Sequence, residues 1–153
     1  MSFRIDNGGL DDPRVIALVD YHRKAARAQT EVGSAHALDL SGLTAPEVRF
    51  WSAWDGETLV GIGALKKLSE DHGEIKSMHT AIEHRGHGVG SAIVCHILAS
   101  ARATGLARLS LETGSWDYFK PAHALYRRHG FVECEPFGDY KPDPNSLFYT
   151  LTL

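Results

Sequence analysis

Six consecutive residues just past the middle of the 153-residue chain, Arg85-Gly86-His87-Gly88-Val89-Gly90, alternate glycine with larger side chains. Glycine lets the backbone approach a bound group closely, because no Cβ stands in the way, and several N–H groups can then converge on it. A helix start at the same spot adds about half a positive charge. Arg85 can supply a charge-assisted bond. The chemistry this combination serves is the holding of a diphosphate.

Spacing separates this loop from two other phosphate loops. A Walker loop ends in Gly-Lys-Ser/Thr, whereas Gly90 is followed by Ser91-Ala92. A dinucleotide fold requires Gly-x-Gly-x-x-Gly and an acid about 20 residues on. Gly86 and Gly88, then Ser91, with Glu112 at the end of the next strand, nearly comply. That reading fails on topology, since too few residues follow the loop for the repeated βα units such a sheet needs. His79, His84 and His87 gather around the loop, yet without a supporting cysteine or carboxylate pattern they do not make a zinc site, and no metal is expected.

The elements that must position the loop can be read on either side of it. Phe3 to Asp6 reads as a short strand. Asp11-Asp12-Pro13 opens a helix that runs from about Val15 into the twenties, with an apolar face of Val15, Ile16, Leu18, Val19 and Ala26. Ser34 to Pro46 reads as a loop or short helix. Val48 to Trp54 and Thr58 to Lys66 are strands joined by the turn Asp55-Gly56, and Glu74 to Ala81 is a third. The three form an antiparallel meander leading into the glycine loop.

Beyond the loop, Ser91 to Thr104 carries Ile93, Val94, Ile97, Leu98 and Ala101 at helical spacing, and Gly105 caps it. Ala107 to Glu112 is a strand, Pro121 to His129 a helix closed by Gly130, and Phe131 to Glu135 a strand. The loop Pro136 to Asn145 then leads to a last strand, Leu147 to Leu151. Trp51, Trp54 and Trp116 read as core or rim aromatics.

Composition sets outer limits. The length suits one domain over residues 1–153, and 43% hydrophobic with 23% charged residues is a globular balance. A net charge of -3 offers no basic field, so a nucleic-acid partner is not expected. No segment approaches the ~18 consecutive apolar residues of a membrane span, and the polar N-terminus lacks a signal peptide's apolar core. Cys95 and Cys134 read as reduced thiols of a cytoplasmic protein.

Arg85, Gly88 and Gly90 fall in the register of Arg/Gln, two residues, Gly, one residue, Gly/Ala, the pyrophosphate motif of the GNAT acyltransferase superfamily, which the chain resembles. Ala122-His123-Ala124-Leu125-Tyr126-Arg127-Arg128-His129-Gly130-Phe131 resembles the family's helix-then-strand signature. The resemblance spans nearly the whole chain. Leu111-Glu112-Thr113-Gly114 and the stretch from Pro136 to Ser146 resemble a bacterial YsnE-like subgroup.

The resemblance implies a mixed α/β (α+β) fold, with a mostly antiparallel twisted sheet of six to seven strands flanked by about four helices. It implies an N-acetyltransferase that moves an acetyl group from acetyl-CoA to a primary amine by direct attack on the thioester. Met78, His79 and Thr80 would pair with the pantetheine arm, and Arg85, Gly86, His87, Gly88, Val89, Gly90 and Ser91 would hold the diphosphate. Tyr126 would be the general acid and Glu74 the base, with Glu112 or water open as alternatives to Glu74. Phe119 stands where many members carry Asn, seven residues before the tyrosine, and would pack against the cofactor arm.

The mildly acidic single domain without a docking tract leans toward a small-molecule amine acceptor. A non-catalytic acyl-CoA sensor, a protein or peptide N-acetyltransferase and a homodimer remain open. The acceptor pocket would be built by the first helix, the segment Glu31 to Ser41 and the loop Pro136 to Asn145.

Overall fold

The computed structural model describes residues 3–28 and 38–153. The stretch 29–37, which takes in most of the expected acceptor segment and the first part of the expected loop at 34–46, lies outside them. Seven strands make one sheet: β1 (Arg4–Asn7), β2 (Val48–Asp55), β3 (Thr58–Lys67), β4 (His72–Thr80), β5 (Arg108–Gly114), β6 (Val132–Cys134) and β7 (Ser146–Thr152), in the order β1-β2-β3-β4-β5-β7-β6. Among the described residues four helices accompany it: α1 (Pro13–Ala28), α2 (Leu40–Leu43), α3 (Val89–Ala103) and α4 (Lys120–Arg128). The expected three-stranded meander is a four-stranded one, because β1 pairs antiparallel with β2 from Arg4↔Trp54 to Asn7↔Trp51.

Alternation along β2 shows how the sheet is covered. Trp51 and Ala53 enter the core beneath α3 and α4, while Phe50 and Trp54 enter the core beneath α1 and α2. Both faces are therefore buried, and a strand of this kind reads as nearly continuously apolar. α1 opens where the Asp12 carboxylate accepts the Arg14 backbone N–H at 2.9 Å and Pro13 fills the first helical position. It buries Val15 and Val19 against Ile62 and Ala64.

α3 seats on the other face through Ile93, Val94, Ile97, Leu98 and Ala101, all buried. Each of the valine, leucine and isoleucine side chains removed from water contributes about 1.5–3 kcal/mol. Its close approach depends on glycines in β3. A Cβ at Gly63 would lie 2.6 Å from Ile93 Cγ2 and 2.9 Å from Met78 Sδ, and one at Gly61 would lie 2.8 Å from Val89 Cγ1.

Gly63 also faces an irregularity. Ile62 pairs with His79 and Ala64 with Lys76, so Ser77 and Met78 together oppose Gly63, a β-bulge with Ser77 at φ 56°. The bulge resets the alternation of β4, and Ile75 and Met78 consequently both pack toward α3. β4 and β5 run parallel and pair over only three residues each, His72–Glu74 with Arg108–Ser110. Past that point the register ends and the sheet opens.

The helix expected from Ser91 begins two residues earlier, with Gly88 as N-cap in the left-handed region at φ 85°. The glycine loop thus runs directly into the helix, and Gly90 belongs to its first turn. The helix expected from Pro121 begins at Lys120, after a 3-10 turn at Asp117–Phe119. β6 is shorter than expected because it pairs with β7 only over Val132–Cys134.

Candidate active site

A cleft of about 600 Å³ opens where β4 and β5 part, bounded by α1, the glycine loop, the first turn of α3 and α4. At its charged end Gly86 and Gly88 have φ of 81° and 85°, values that side chains on L-residues rarely adopt. A Cβ at either would meet nothing within 4 Å, so the space in front of the loop is open for a bound group. The backbone N–H groups that open α3 face this space without a side-chain cap. Arg85 and Arg128 both line it, one from the loop and one from the end of α4. The donor set and the open cradle suit a diphosphate.

Met78, His79 and Thr80 form the β4 wall of the cleft. His79 sits on α1 rather than beside the loop histidines: its Nδ1 lies 3.0 Å from Nδ1 of His22, and Tyr21 meets its ring edge-on. Two imidazole nitrogens at that distance share one proton, one ring donating and the other accepting. Burial pushes His22 down to about 4, and burial together with the charges of His22 and Arg85 pushes His79 down to about 3. Both rings are neutral at pH 7. Nε2 of His79 and Oγ of Ser77 at the bulge are buried without a hydrogen-bond partner among the described residues.

Tyr126 lies deeper in the same cleft, 5% exposed and edge-on to Phe131. Burial raises its phenol well above the ordinary tyrosine range, so the group stays protonated at working pH and can give a proton but not take one. Phe119 also lines the cleft, its ring pressed on Gly114 at the end of β5 so closely that a Cβ there would collide with it.

The predicted cofactor residues come together, with one exception. Met78, His79, Thr80, Arg85, Gly86, Gly88, Val89, Gly90, Ser91 and Phe119 all line the cleft, and the exposed His87 does not. Glu74 does not line it either. That carboxylate is 4% exposed at the start of β4, where its Oε2 accepts Tyr140 O–H at 2.5 Å and Lys76 Nζ–H at 3.2 Å. Lys76 also donates to the Tyr140 oxygen at 2.9 Å. Burial and then the charge of Glu74 raise the Tyr140 phenol, which stays protonated. Glu112, on β5, accepts Ser146 O–H at 2.7 Å.

His84 and His87 do not join His79, and among the described residues no group of three or more His, Cys, Asp or Glu is placed to hold a metal. Sequence reasoning missed His22, Ala25 and Ala26, because α1 shows only an amphipathic pattern and nothing that says its last turns face a cleft. It also missed Arg128 and Tyr118. Arg128 had a signal, a cation closing the helix that carries Tyr126.

Residues 15–131 match the Acetyltransferase (GNAT) family. The chain belongs to that family. It is 51% identical to the uncharacterized N-acetyltransferase YedL of Escherichia coli over 151 residues, covering 99% of this chain and 95% of that one. It is 47% identical to the uncharacterized N-acetyltransferase YsnE of Bacillus subtilis over 153 residues, the full length of both. In fold it is similar to the PaiA N-acetyltransferase of Thermoplasma acidophilum, solved in complex with coenzyme A, at a TM-score of 0.75 and 13% identity over the whole of both chains. This GNAT protein is therefore an acyltransferase. Among the described residues no helix is long and apolar enough to cross a membrane.

Proposed function

We propose that this enzyme transfers the acetyl group of acetyl-CoA to the primary amine of a small molecule in the cytoplasm. The observation that carries this reading is one cleft with a diphosphate cradle at one end and a buried, protonated tyrosine further in. Acetyl-CoA, when bound, supplies an activated thioester and a thiol leaving group.

The residues divide the remaining work. Arg85, Arg128 and the backbone of Gly86 to Ser91 hold the diphosphate, and the β4 backbone from Met78 to Thr80 aligns the pantetheine arm, with Phe119 packed against it. A backbone N–H there polarises the thioester oxygen. Tyr126 returns a proton to the departing sulfur; burial makes the phenol a weaker acid, and the same desolvation makes the thiolate forming in the cleft a stronger base, which offsets that cost. Glu74 draws the proton of the acceptor ammonium through water, its charge held in place by Lys76 and Tyr140.

Calorimetric titration with acetyl-CoA, with NAD and ATP as controls, tests the first half. Selective binding of acetyl-CoA is expected, and binding of NAD instead would replace this reading with a dinucleotide one. A screen of small amines, with release of free thiol as the readout, tests the second half.

A further inference from the structure

One side chain on the cradle has its chemistry set from outside it. Ser91 stands in the first turn of α3 on the cleft wall. Its Oγ lies 2.7 Å from Nε2 of His129, the half-buried residue that ends α4. A hydroxyl has a single proton to give. If Ser91 gives it to His129, only oxygen lone pairs are left for the cleft. If His129 gives its Nε2 proton to Ser91, the hydroxyl proton is free to turn toward the cleft.

The two arrangements differ for a diphosphate, whose oxygens are all acceptors. Lone pairs set against them repel, whereas an O–H donated to a charged oxygen is among the stronger hydrogen bonds. We propose that His129 is a positioning residue for the coenzyme, donating its Nε2 proton to Ser91 so that the Ser91 hydroxyl donates to the diphosphate. This rests on the acetyl-CoA reading given above. The ring acts through Ser91 and touches no coenzyme atom itself. The residue is fixed at the end of α4, where the His129 backbone N–H donates to the Leu125 and Tyr126 carbonyls at 3.3 and 3.1 Å. Both the neutral ring with hydrogen on Nε2 and the imidazolium satisfy the requirement. The neutral ring with hydrogen on Nδ1 does not.

The test is a set of calorimetric titrations of acetyl-CoA into the natural protein, His129→Gln, His129→Leu, Ser91→Ala and the double variant Ser91→Ala/His129→Leu. Thermal melts confirm that each is folded. Nitrogen-15 spectra of the histidine rings, with and without acetyl-CoA, show which nitrogen bears the proton. A hydrogen bond to a charged group sets the expected loss at about tenfold in affinity for Ser91→Ala; His129→Leu leaves the hydroxyl its proton but removes the donor that orients it, so a smaller loss of about fivefold is expected there, and the double variant should lose no more than Ser91→Ala. A glutamine side chain can present a donor N–H at the same place, and His129→Gln is expected within about twofold of the natural protein. In the complex the His129 proton is expected on Nε2.

Natural-like affinity in His129→Leu, additive losses in the double variant, or a bare Nε2 in the complex would each overturn the inference while leaving the coenzyme reading intact. If the natural protein itself does not bind acetyl-CoA, the coenzyme reading fails and this inference fails with it.

Discussion

The two ends of the opened sheet are built from different materials. The cradle at the start of α3 is made mainly of backbone, two glycines in left-handed conformations and the uncapped N–H groups of a helix, with two arginine side chains at its flanks. The start of β4, on the face toward α1, is made of side chains, where Glu74, Lys76 and Tyr140 bond to one another and Glu112 bonds to Ser146. Backbone donors recognise a feature common to every use of the coenzyme, and they tolerate little change. Side-chain clusters can be exchanged one residue at a time, and under the proposed function this second region, which holds Glu74, is the one assigned to the amine.

That contrast can be broken at several points. The largest effect is expected at the cradle. Gly88→Glu places a side chain and a negative charge where φ is 85° and the phosphates would sit, and acetyl-CoA binding should become undetectable by calorimetry while the protein stays folded. Measurable binding would show that the loop is not the cradle. Next is Tyr126→Phe, which removes the only proton Tyr126 can give. Turnover should fall on the order of 10²-fold with acetyl-CoA affinity largely retained, and unchanged turnover in the amine assay would remove the tyrosine from the mechanism.

At the side-chain end the effect should be smaller and of another kind. Tyr140→Phe deletes a donor to Glu74 and an acceptor for Lys76. About a tenfold rise in KM for the amine is expected, with the acetyl-CoA affinity unmoved. If the coenzyme affinity falls instead, the two regions are not separable in the way described.

The smallest effect concerns the contact between α1 and β4. His22 and His79 titrate at about 6.5 when unfolded and are pushed down to about 4 and about 3 in the folded protein, chiefly by burial. The unfolded chain therefore binds more protons below pH 6.5, and the stability held by the neutral pair is complete above that value and lost as the pH falls toward 4. The melting temperature should drop across this window. His22→Gln should flatten the drop, and an unchanged slope would mean that other groups cause it.

How much of this was legible beforehand follows the same division. The glycine loop and the strand leading into it could be placed from the sequence because backbone sites leave a compact, ordered mark such as Arg85 to Gly90, whereas Tyr126, which lines the same cleft, was singled out by the family resemblance alone. Strand and helix order was equally readable from periodicity, down to the capping by Gly105 and Gly130. The bulge at Ser77 was not, since it arises from a mismatch in register with Gly63 that neither strand displays alone. The His22–His79 pair and the Glu74–Lys76–Tyr140 cluster join residues 57 and 66 positions apart. Such contacts belong to the folded arrangement and have no local signature. Glu74 was picked out as a carboxylate near the site, but its sequence neighbours did not reveal that its oxygen is already engaged.

The place of β7 has a consequence for how the chain reaches its folded state. β7 pairs with β5 on one side, from Arg108↔Thr152 to Gly114↔Ser146, and with β6 on the other, from Val132↔Thr150 to Cys134↔Phe148, yet it follows both in the chain. β5 can pair with β4 along one edge before β7 exists, but its other edge and that of β6 stay open until Ser146–Thr152 has been made, and an open edge is a template for pairing with the wrong strand.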